Sequence, residues 1–235
     1  MKLVLGLCIL SLPFTASATQ LFTNGGFDLG TTGWLTATSN PSDPNDGFFV
    51  VPGAAGETPI SGFATAGAFA GSNYAVSDGD DFGARAIYQS FVAPSAISII
   101  LSFEMFVNDE LGLGSGFGSV DLMANGSDPI TGTPIHTFYS ADTATAGLNV
   151  PNPYLFESFD ITSYVTAGTT YYIRFFSEDD LGNPADFGPI HVGVDSVSLD
   201  FTPATATPEP GMFWPLALVA GIALFRFRRL GFGQR

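Results

Sequence analysis

The sequence predicts an all-β fold, a two-sheet antiparallel β-sandwich, between two hydrophobic ends. The 235 residues include 28 Gly, 16 Pro and 23 Phe, a composition that suits short strands joined by tight turns. From Ile97 to Val107 every odd position is apolar, which is typical of a strand with one face in a core. The central region shows no sustained 3.6-residue period, so we expect almost no helix there.

The first 18 residues have the parts of a secretory signal peptide. Lys2 supplies a positive charge, residues 3–12 are apolar, and Ala16 and Ala18 place small side chains at the two positions that signal peptidase recognises. We therefore expect signal peptidase to cut after Ala18. A buried core helix is the alternative interpretation. Cys8, the only cysteine, lies inside this signal, so the mature chain has no thiol for disulfides, metal binding or catalysis.

Several segments of the central region have strand character. They are Arg85–Val92, Ile97–Val107, Ser119–Ala124, Ile135–Tyr139, Thr170–Phe176 and His191–Phe201, with turn-rich stretches such as 40–47 and 124–127 between them. One helical turn is expected near 161–166. About ten strands in this length predict a two-sheet sandwich or a barrel.

Short motifs at both ends of this region favour a sandwich of the jelly-roll type. They are Asn24-Gly25-Gly26-Phe27-Asp28 with Gly33-Trp34 near the start, Phe159-Asp160-Ile161-Thr162 and Tyr172-Ile173-Arg174-Phe175 later, and Val194-Asp195-Ser196-Val197-Ser198-Leu199 near the end. Together they resemble galactose-binding-like jelly rolls, the fold of many carbohydrate-binding modules. The resemblance implies a jelly-roll ectodomain over residues 19–201, with Trp34 packed in its core.

The same resemblance implies a structural Ca²⁺ where the first and last strands meet. Asp28 and Asp195 are the matching acids, helped by backbone carbonyls near Gly25. Asp28 departs from the family pattern, which more often has glutamate there. Further acidic runs at 78–81, 109–110 and 178–180 fall in predicted loops, and oxygen ligands on loops suit Ca²⁺. Solvated surface acids are the alternative.

Charge is distributed unevenly along the chain. Residues 19–206 hold only two basic residues, Arg85 and Arg174, against 21 acidic ones, a net charge of −19. Such a domain repels nucleic acid and anionic lipid surfaces, which excludes both as partners. High solubility is the simplest role for this charge.

A short hydrophobic segment lies near the C terminus. Residues 202–207 form a Pro/Thr/Ala linker, residues 211–225 are apolar, and a basic end at 226–229 follows. A 15-residue helix spans about 22 Å, less than the roughly 30 Å hydrocarbon core of a bilayer. We expect it to hold the chain in the inner membrane transiently, with Arg226, Arg228 and Arg229 cytoplasmic and the β domain outside.

The order of parts identifies this tail more specifically. Pro208, Glu209 and Pro210, followed by the apolar segment and the arginines, resemble over residues 208–230 the PEP-CTERM sorting signal of Gram-negative bacteria that make exopolysaccharide. The resemblance implies that the membrane protease-transpeptidase exosortase recognises and removes the tail. The domain would then reach the cell surface or extracellular matrix. A permanent anchor without processing is the alternative.

No arrangement of residues in the sequence indicates catalysis. The two histidines, His136 and His191, are 55 residues apart and lack partners at metal-ligand spacing. We predict a non-enzymatic protein associated with exopolysaccharide, with weak glycan binding as its activity. A secreted glycan-active hydrolase that uses paired carboxylates and a purely structural matrix protein are the alternatives.

Overall fold

A computed structural model describes residues 18–54, 56–79, 82–109, 116–142, 151–179 and 190–204. This part of the chain is all-β, as predicted. Its strands are β1 Thr19–Gln20, β2 Leu35–Thr38, β3 Gly47–Pro52, β4 Asn73–Asp78, β5 Ala84–Val92, β6 Ala96–Asp109, β7 Phe117–Ala124, β8 His136–Asp142, β9 Leu155–Asp160, β10 Thr170–Glu178 and β11 Ile190–Pro203. A 3₁₀ turn at Thr162–Tyr164 confirms the expected helical turn.

The strands form two antiparallel sheets. Sheet A has the order β3-β4-β11-β6-β9, and β1 also pairs with β11; sheet B has the order β2-β5-β10-β7-β8. Most consecutive strands alternate between the sheets, so the chain wraps around one core. The sandwich belongs to a compact unit that ends at Pro203.

The core lies between the sheets and follows the alternation seen in the sequence. The odd residues of β6 from Ile99 to Val107, among them Leu101 and Phe103, are buried in it, and each such side chain stabilises the fold by about 1.5–3 kcal/mol. Ile97, near the start of the strand, is 65% exposed and departs from the predicted alternation. Trp34 is also buried, and its Nε1 donates a hydrogen bond of 3.0 Å to the carbonyl of Asn24. The expected burial of Trp34 is confirmed.

The outer face of sheet A holds a second apolar cluster. Val51, Tyr74, Val76 and Phe106 are buried there, on the side of the sheet that faces away from sheet B. The segment that joins β3 to β4, residues 53–72, contributes Ala68 to this cluster. This β3–β4 loop therefore covers part of the outer face.

The sequence predicted that the acidic runs at 78–81, 109–110 and 178–180 lie in loops, and the structure corrects part of this. Asp78, Asp109 and Glu178 are the last residues of β4, β6 and β10. The prediction was wrong for these three because the strands continue past their apolar residues through ladder hydrogen bonds to neighbouring strands. Residues 80–81, 110 and 180 lie outside the described part.

Both predicted terminal signals also lie almost wholly outside the described residues. These are the signal peptide at 1–18, apart from Ala18, and the tail at 208–230 with its motif Pro208-Glu209-Pro210 and arginines. Among the residues that the structure describes, none belongs to a helix with the length and apolar character needed to span a membrane.

Candidate functional site

The opening motif lies directly against the last strand. The N–H of Val197 donates a 3.0 Å hydrogen bond to the carbonyl of Gly25. The two backbones are so close that a Cβ on Gly25 would lie only 1.8 Å from the Val197 oxygen, so only glycine fits. At this point β11 has an irregularity between Asp195 and Ser198, with Ser196 at φ +51°.

This approach brings the carboxyl groups of Asp28 and Asp195 close to Gly26. A Cβ built on Gly26 would lie 3.9 Å from Asp195 Oδ1 and 4.0 Å from Asp28 Oδ2. The structure thus places the two sequence-predicted acids together, and we call them the aspartate pair.

Each member of the aspartate pair holds the end of the β3–β4 loop. Asp195 Oδ2 accepts hydrogen bonds from the N–H groups of Phe69 and Ala70, at 2.8 and 3.0 Å. Asp28 Oδ1 accepts bonds of 2.8 Å from both the N–H and the hydroxyl of Ser72. The backbone N–H of Asn73 also donates to the Asp28 carboxyl group.

The two carboxyl groups have opposite pKa shifts. The hydrogen bonds from Ser72 lower the pKa of Asp28. Burial raises the pKa of Asp195, and the charge of Asp28 adds to that rise against the opposing backbone N–H bonds. Among the described residues, no basic side chain forms an ion pair with either carboxyl group.

The donor set of the aspartate pair fits a hard cation in type. Ca²⁺ takes six to eight oxygen ligands, and the pair offers carboxylate oxygens. Among the described residues, no group of three or more His, Cys, Asp or Glu side chains is arranged to hold a metal ion. Backbone carbonyls and water would have to complete a Ca²⁺ shell here.

A third acid, Glu104, lies beside the aspartate pair and was not predicted as a site residue. Its Cα is paired with that of Asp195 on one side and that of Phe156 on the other. The side chain is only 8% exposed and has no hydrogen bond or ion pair with the described residues. Burial and the charge of Asp195 raise the pKa of Glu104. The sequence did contain one signal that could have pointed to Glu104, namely a glutamate in the middle of a strongly apolar strand.

A second polar group lies under the other end of the β3–β4 loop. Asp78 accepts hydrogen bonds from the N–H groups of Ile60 and Ser61 and from the Ser61 hydroxyl. His191, fully buried, has Nδ1 2.9 Å from the Ser77 carbonyl and Nε2 3.4 Å from the Ser61 hydroxyl. Burial lowers the pKa of His191, and its Nδ1 donates to the Ser77 carbonyl because a carbonyl can only accept.

Ser61, His191 and Asp78 are the residue types of a hydrolytic triad, but their hydrogen bonds differ from those of such a triad. A nucleophilic serine donates to its histidine, which in turn donates to the carboxylate. Here Ser61 Oγ lies 2.7 Å from Asp78 Oδ1 and donates to it, while the histidine donates to a backbone carbonyl. The group fixes the loop on the sheet.

Both basic residues of the domain are buried in ion pairs. Arg85 pairs with Asp46 and, at 2.6 Å, with Asp179. Arg174 pairs at 2.6 Å with Asp121 and lies over the ring of Phe176. Since residues 19–206 contain no other Lys or Arg, the surface charge of this domain comes from its acids.

Comparisons with known proteins give likenesses of overall fold. No protein-family model matches the chain, and no curated protein sequence matches it. The structure of TmCBM61 in complex with β-1,4-galactotriose is 12% identical over 77% of this chain and 98% of its own, with a TM-score of 0.47. The K1 cleaved adhesin domain of Lys-gingipain from Porphyromonas gingivalis W83 is 12% identical, with 78% and 97% coverage and a TM-score of 0.49.

A Stig cyclase, Fisc, from Fischerella sp. TAU is similar to the same degree. It is 18% identical, with 80% of this chain and 100% of the cyclase covered and a TM-score of 0.47. Because a binding domain, an adhesin domain and an enzyme resemble the chain equally, the likeness does not indicate a function. What the likeness supports is the fold, an all-β sandwich of two antiparallel sheets.

Proposed function

We propose that this chain is an exported, non-enzymatic protein of the surface or extracellular matrix of a Gram-negative bacterium. Its jelly-roll sandwich is delivered by the PEP-CTERM tail, which exosortase removes, and remains associated with exopolysaccharide. The tail carries the proposal, because Pro208-Glu209-Pro210, the apolar segment and the arginines occur in the order of a sorting signal.

The bounds of the sandwich support processing at both ends. Thr19, the residue after the proposed signal peptidase site, already pairs with Phe201 in sheet A. The last strand ends at Pro203, before Pro208. Cleavage after Ala18 and near Pro208-Glu209-Pro210 would therefore leave every described strand intact.

The surface charge supports an association with neutral glycans over other polymers. Both arginines are buried, so the sandwich presents acids without exposed Lys or Arg. Nucleic acid, anionic lipid and acidic polysaccharide would all be repelled. A glycan-active hydrolase remains the second candidate, and turnover of a polysaccharide that one Asp or Glu substitution abolishes would favour it.

We also propose a structural Ca²⁺ at the aspartate pair. Asp28 and Asp195 would hold it through their carboxylate oxygens, which lie 4.0 and 3.9 Å from the Cβ position of Gly26. The ion would neutralise the two facing charges and fix the junction between the opening motif and β11.

The sorting proposal is tested by expression in an exosortase-bearing Gram-negative host. The full chain should be recovered from the surface or matrix fraction, and deletion of the exosortase gene should retain it in the inner membrane. Replacing residues 208–210 with three alanines should have the same effect. Thr205→Ala with Thr207→Ala, in the adjacent linker, should leave delivery unchanged. Surface delivery that is independent of both exosortase and residues 208–210 would contradict the proposal.

A further inference from the structure

The outer face of sheet A has a step where the β3–β4 loop ends. The loop covers one part of the sheet, and the Tyr154 hydroxyl donates a 2.8 Å bond to the Gly67 carbonyl at its edge. Phe69 lies against Tyr154 with ring centroids 5.5 Å apart and is 53% exposed. Burial raises the pKa of the Tyr154 hydroxyl, and Glu104 is near enough to Tyr154 for its charge to add to that rise. We call the part of the face that Phe69, Tyr154 and Glu104 share the outer step.

Glu104 is the carboxylate of the outer step. It is more than nine-tenths buried, and none of the described residues donates a hydrogen bond to it. Among the described residues, Ser177 Oγ is the only fully buried side-chain polar atom without a partner, so the Glu104 oxygens keep contact with solvent. Water therefore has to supply the hydrogen bonds of this carboxylate, and a ligand with hydroxyl groups would supply donors in place of that water.

An exposed aromatic ring lies next to this carboxylate. Phe156 is the cross-strand neighbour of Glu104 on the edge strand β9, so both side chains are on the same face of the sheet. The ring is 65% exposed. An apolar ring face beside hydrogen-bond acceptors matches a sugar ring, which has apolar C–H groups on its face and hydroxyls at its edge.

A row of serine hydroxyls continues the polar surface. Ser102 precedes Glu104 by two residues on the same face, and its Oγ lies 2.7 Å from that of Ser198 on β11. Ser158 of β9 is the cross-strand neighbour of Ser102 on the other side and is exposed. These hydroxyls both donate and accept hydrogen bonds, as sugar hydroxyls do.

We propose that the outer step binds a neutral saccharide, with Glu104 accepting hydrogen bonds from sugar hydroxyls and Phe156 packing against the sugar ring. This rests on the glycan association of the proposed function and narrows it to one site and one class of glycan. An acidic sugar is excluded because Glu104 and Asp195 lie side by side and both arginines are paired elsewhere.

The test is biolayer interferometry of the full chain, purified in detergent, on immobilised neutral polysaccharides (dextran, galactan, mannan) and on alginate as the acidic one. At least one neutral polysaccharide should bind, and alginate should not. Glu104→Gln should weaken that binding about tenfold, since bonds to a charged acceptor are the stronger ones. Phe156→Ala should weaken it about fivefold.

Matched controls come from the same strand. Glu157→Gln and Leu155→Ala alter the two neighbours of Phe156, whose Cα partners in β6 are core-facing residues, and both variants should bind within about twofold of the parent chain. Melting temperatures of all four variants show that each is folded.

The outcomes separate the site from the function. Neutral-glycan binding that survives both Glu104→Gln and Phe156→Ala would overturn the outer step and leave the glycan association standing. Absence of binding to every neutral polysaccharide would overturn both, while the sorting proposal keeps its own test. A melting temperature that Ca²⁺ raises in the parent chain but not in Glu104→Gln would assign Glu104 to a cation and overturn the saccharide site.

Discussion

At the residue scale, carboxylates hold the parts of this molecule together. Asp28, Asp78 and Asp195 each accept backbone N–H groups of the β3–β4 loop. The described residues of this loop, 53–54 and 56–72, have no regular structure apart from one isolated bridge between Glu57 and Ala64. Hydrogen bonds to charged acceptors contribute more than neutral ones. The loop therefore depends on a few carboxyl side chains more than on its own secondary structure.

The first prediction at this scale concerns calcium. Removing Ca²⁺ with a chelator should lower the melting temperature of the protein by several degrees, since the ion would offset the repulsion of the aspartate pair. Asp28→Asn should remove this sensitivity. Asp128→Asn, which alters an exposed carboxylate that caps a turn through Ile130 and Thr131, should keep it. An identical melting curve with and without chelator would make the aspartate pair a loop anchor alone.

The second prediction concerns Glu104. Because burial and Asp195 raise its pKa, the native state holds this proton more tightly than the unfolded chain does. Stability is then lost as pH rises through the raised pKa. Glu104→Gln should raise the melting temperature by about 2–4 °C at pH 7.

The control for this prediction is the pH dependence of the difference in melting temperature between the parent chain and Glu104→Gln. Below the ordinary glutamate pKa of about 4.3, Glu104 is protonated in both states, and parent and variant should melt together. A Glu104→Gln variant that is less stable at pH 7 would show that the charge has a favourable partner and would contradict this account.

At the element scale, the β3–β4 loop turns at Gly71. This residue has φ +67°, and a Cβ there would lie 2.7 Å from Asp28 Oδ2. Gly71→Ala should therefore displace the carboxylate that holds Ser72, in addition to straining the backbone.

Gly30→Ala provides the matched control, since Gly30 has φ +64° with open space around its Cα. Gly30→Ala should cost about 1 kcal/mol of unfolding free energy from the left-handed backbone alone. Gly71→Ala should cost at least about 1 kcal/mol more. Urea unfolding measures both, and equal losses would show that the contact with Asp28 contributes nothing.

Some of the strands could be predicted from the sequence and others could not. Strands β5, β6, β7, β8, β10 and β11 were predicted because apolar residues alternate along them or run together. The strand β4 was missed because both of its faces are buried, Ala75 in the core and Tyr74 under the loop, which removes the alternation. The strand β9 was missed for the opposite reason, since its residues are mostly exposed at an edge.

Two of the three acids of the candidate site could be predicted from the sequence, and the third could not. Asp28 and Asp195 were found through short motifs that resemble a known fold, and those motifs do meet in the structure. Glu104 was missed because its importance comes from its neighbours across the sheet, Asp195 and Phe156. Cross-strand register is fixed by the whole fold and has no local signal in the sequence.

At the scale of the whole molecule, the charge of the β domain is almost entirely negative. Residues 19–206 carry a net charge of −19, and their arginines, Arg85 and Arg174, are buried. The folded domain therefore repels itself, and salt should screen that repulsion. Raising NaCl from about 10 to 200 mM should raise the melting temperature at pH 7. Sucrose in place of salt controls for general solvent effects, and a fall in melting temperature with NaCl would contradict this reasoning.

The central claim is that the chain is exported, trimmed at both ends and left outside the cell. Intact-mass spectrometry of the protein recovered from an exosortase-bearing host tests it most directly. We expect a mature chain that begins at Thr19 and ends close to Pro208-Glu209-Pro210, without the apolar segment and arginines. Recovery of the 235-residue chain from the cytosol, with both ends intact, would contradict it.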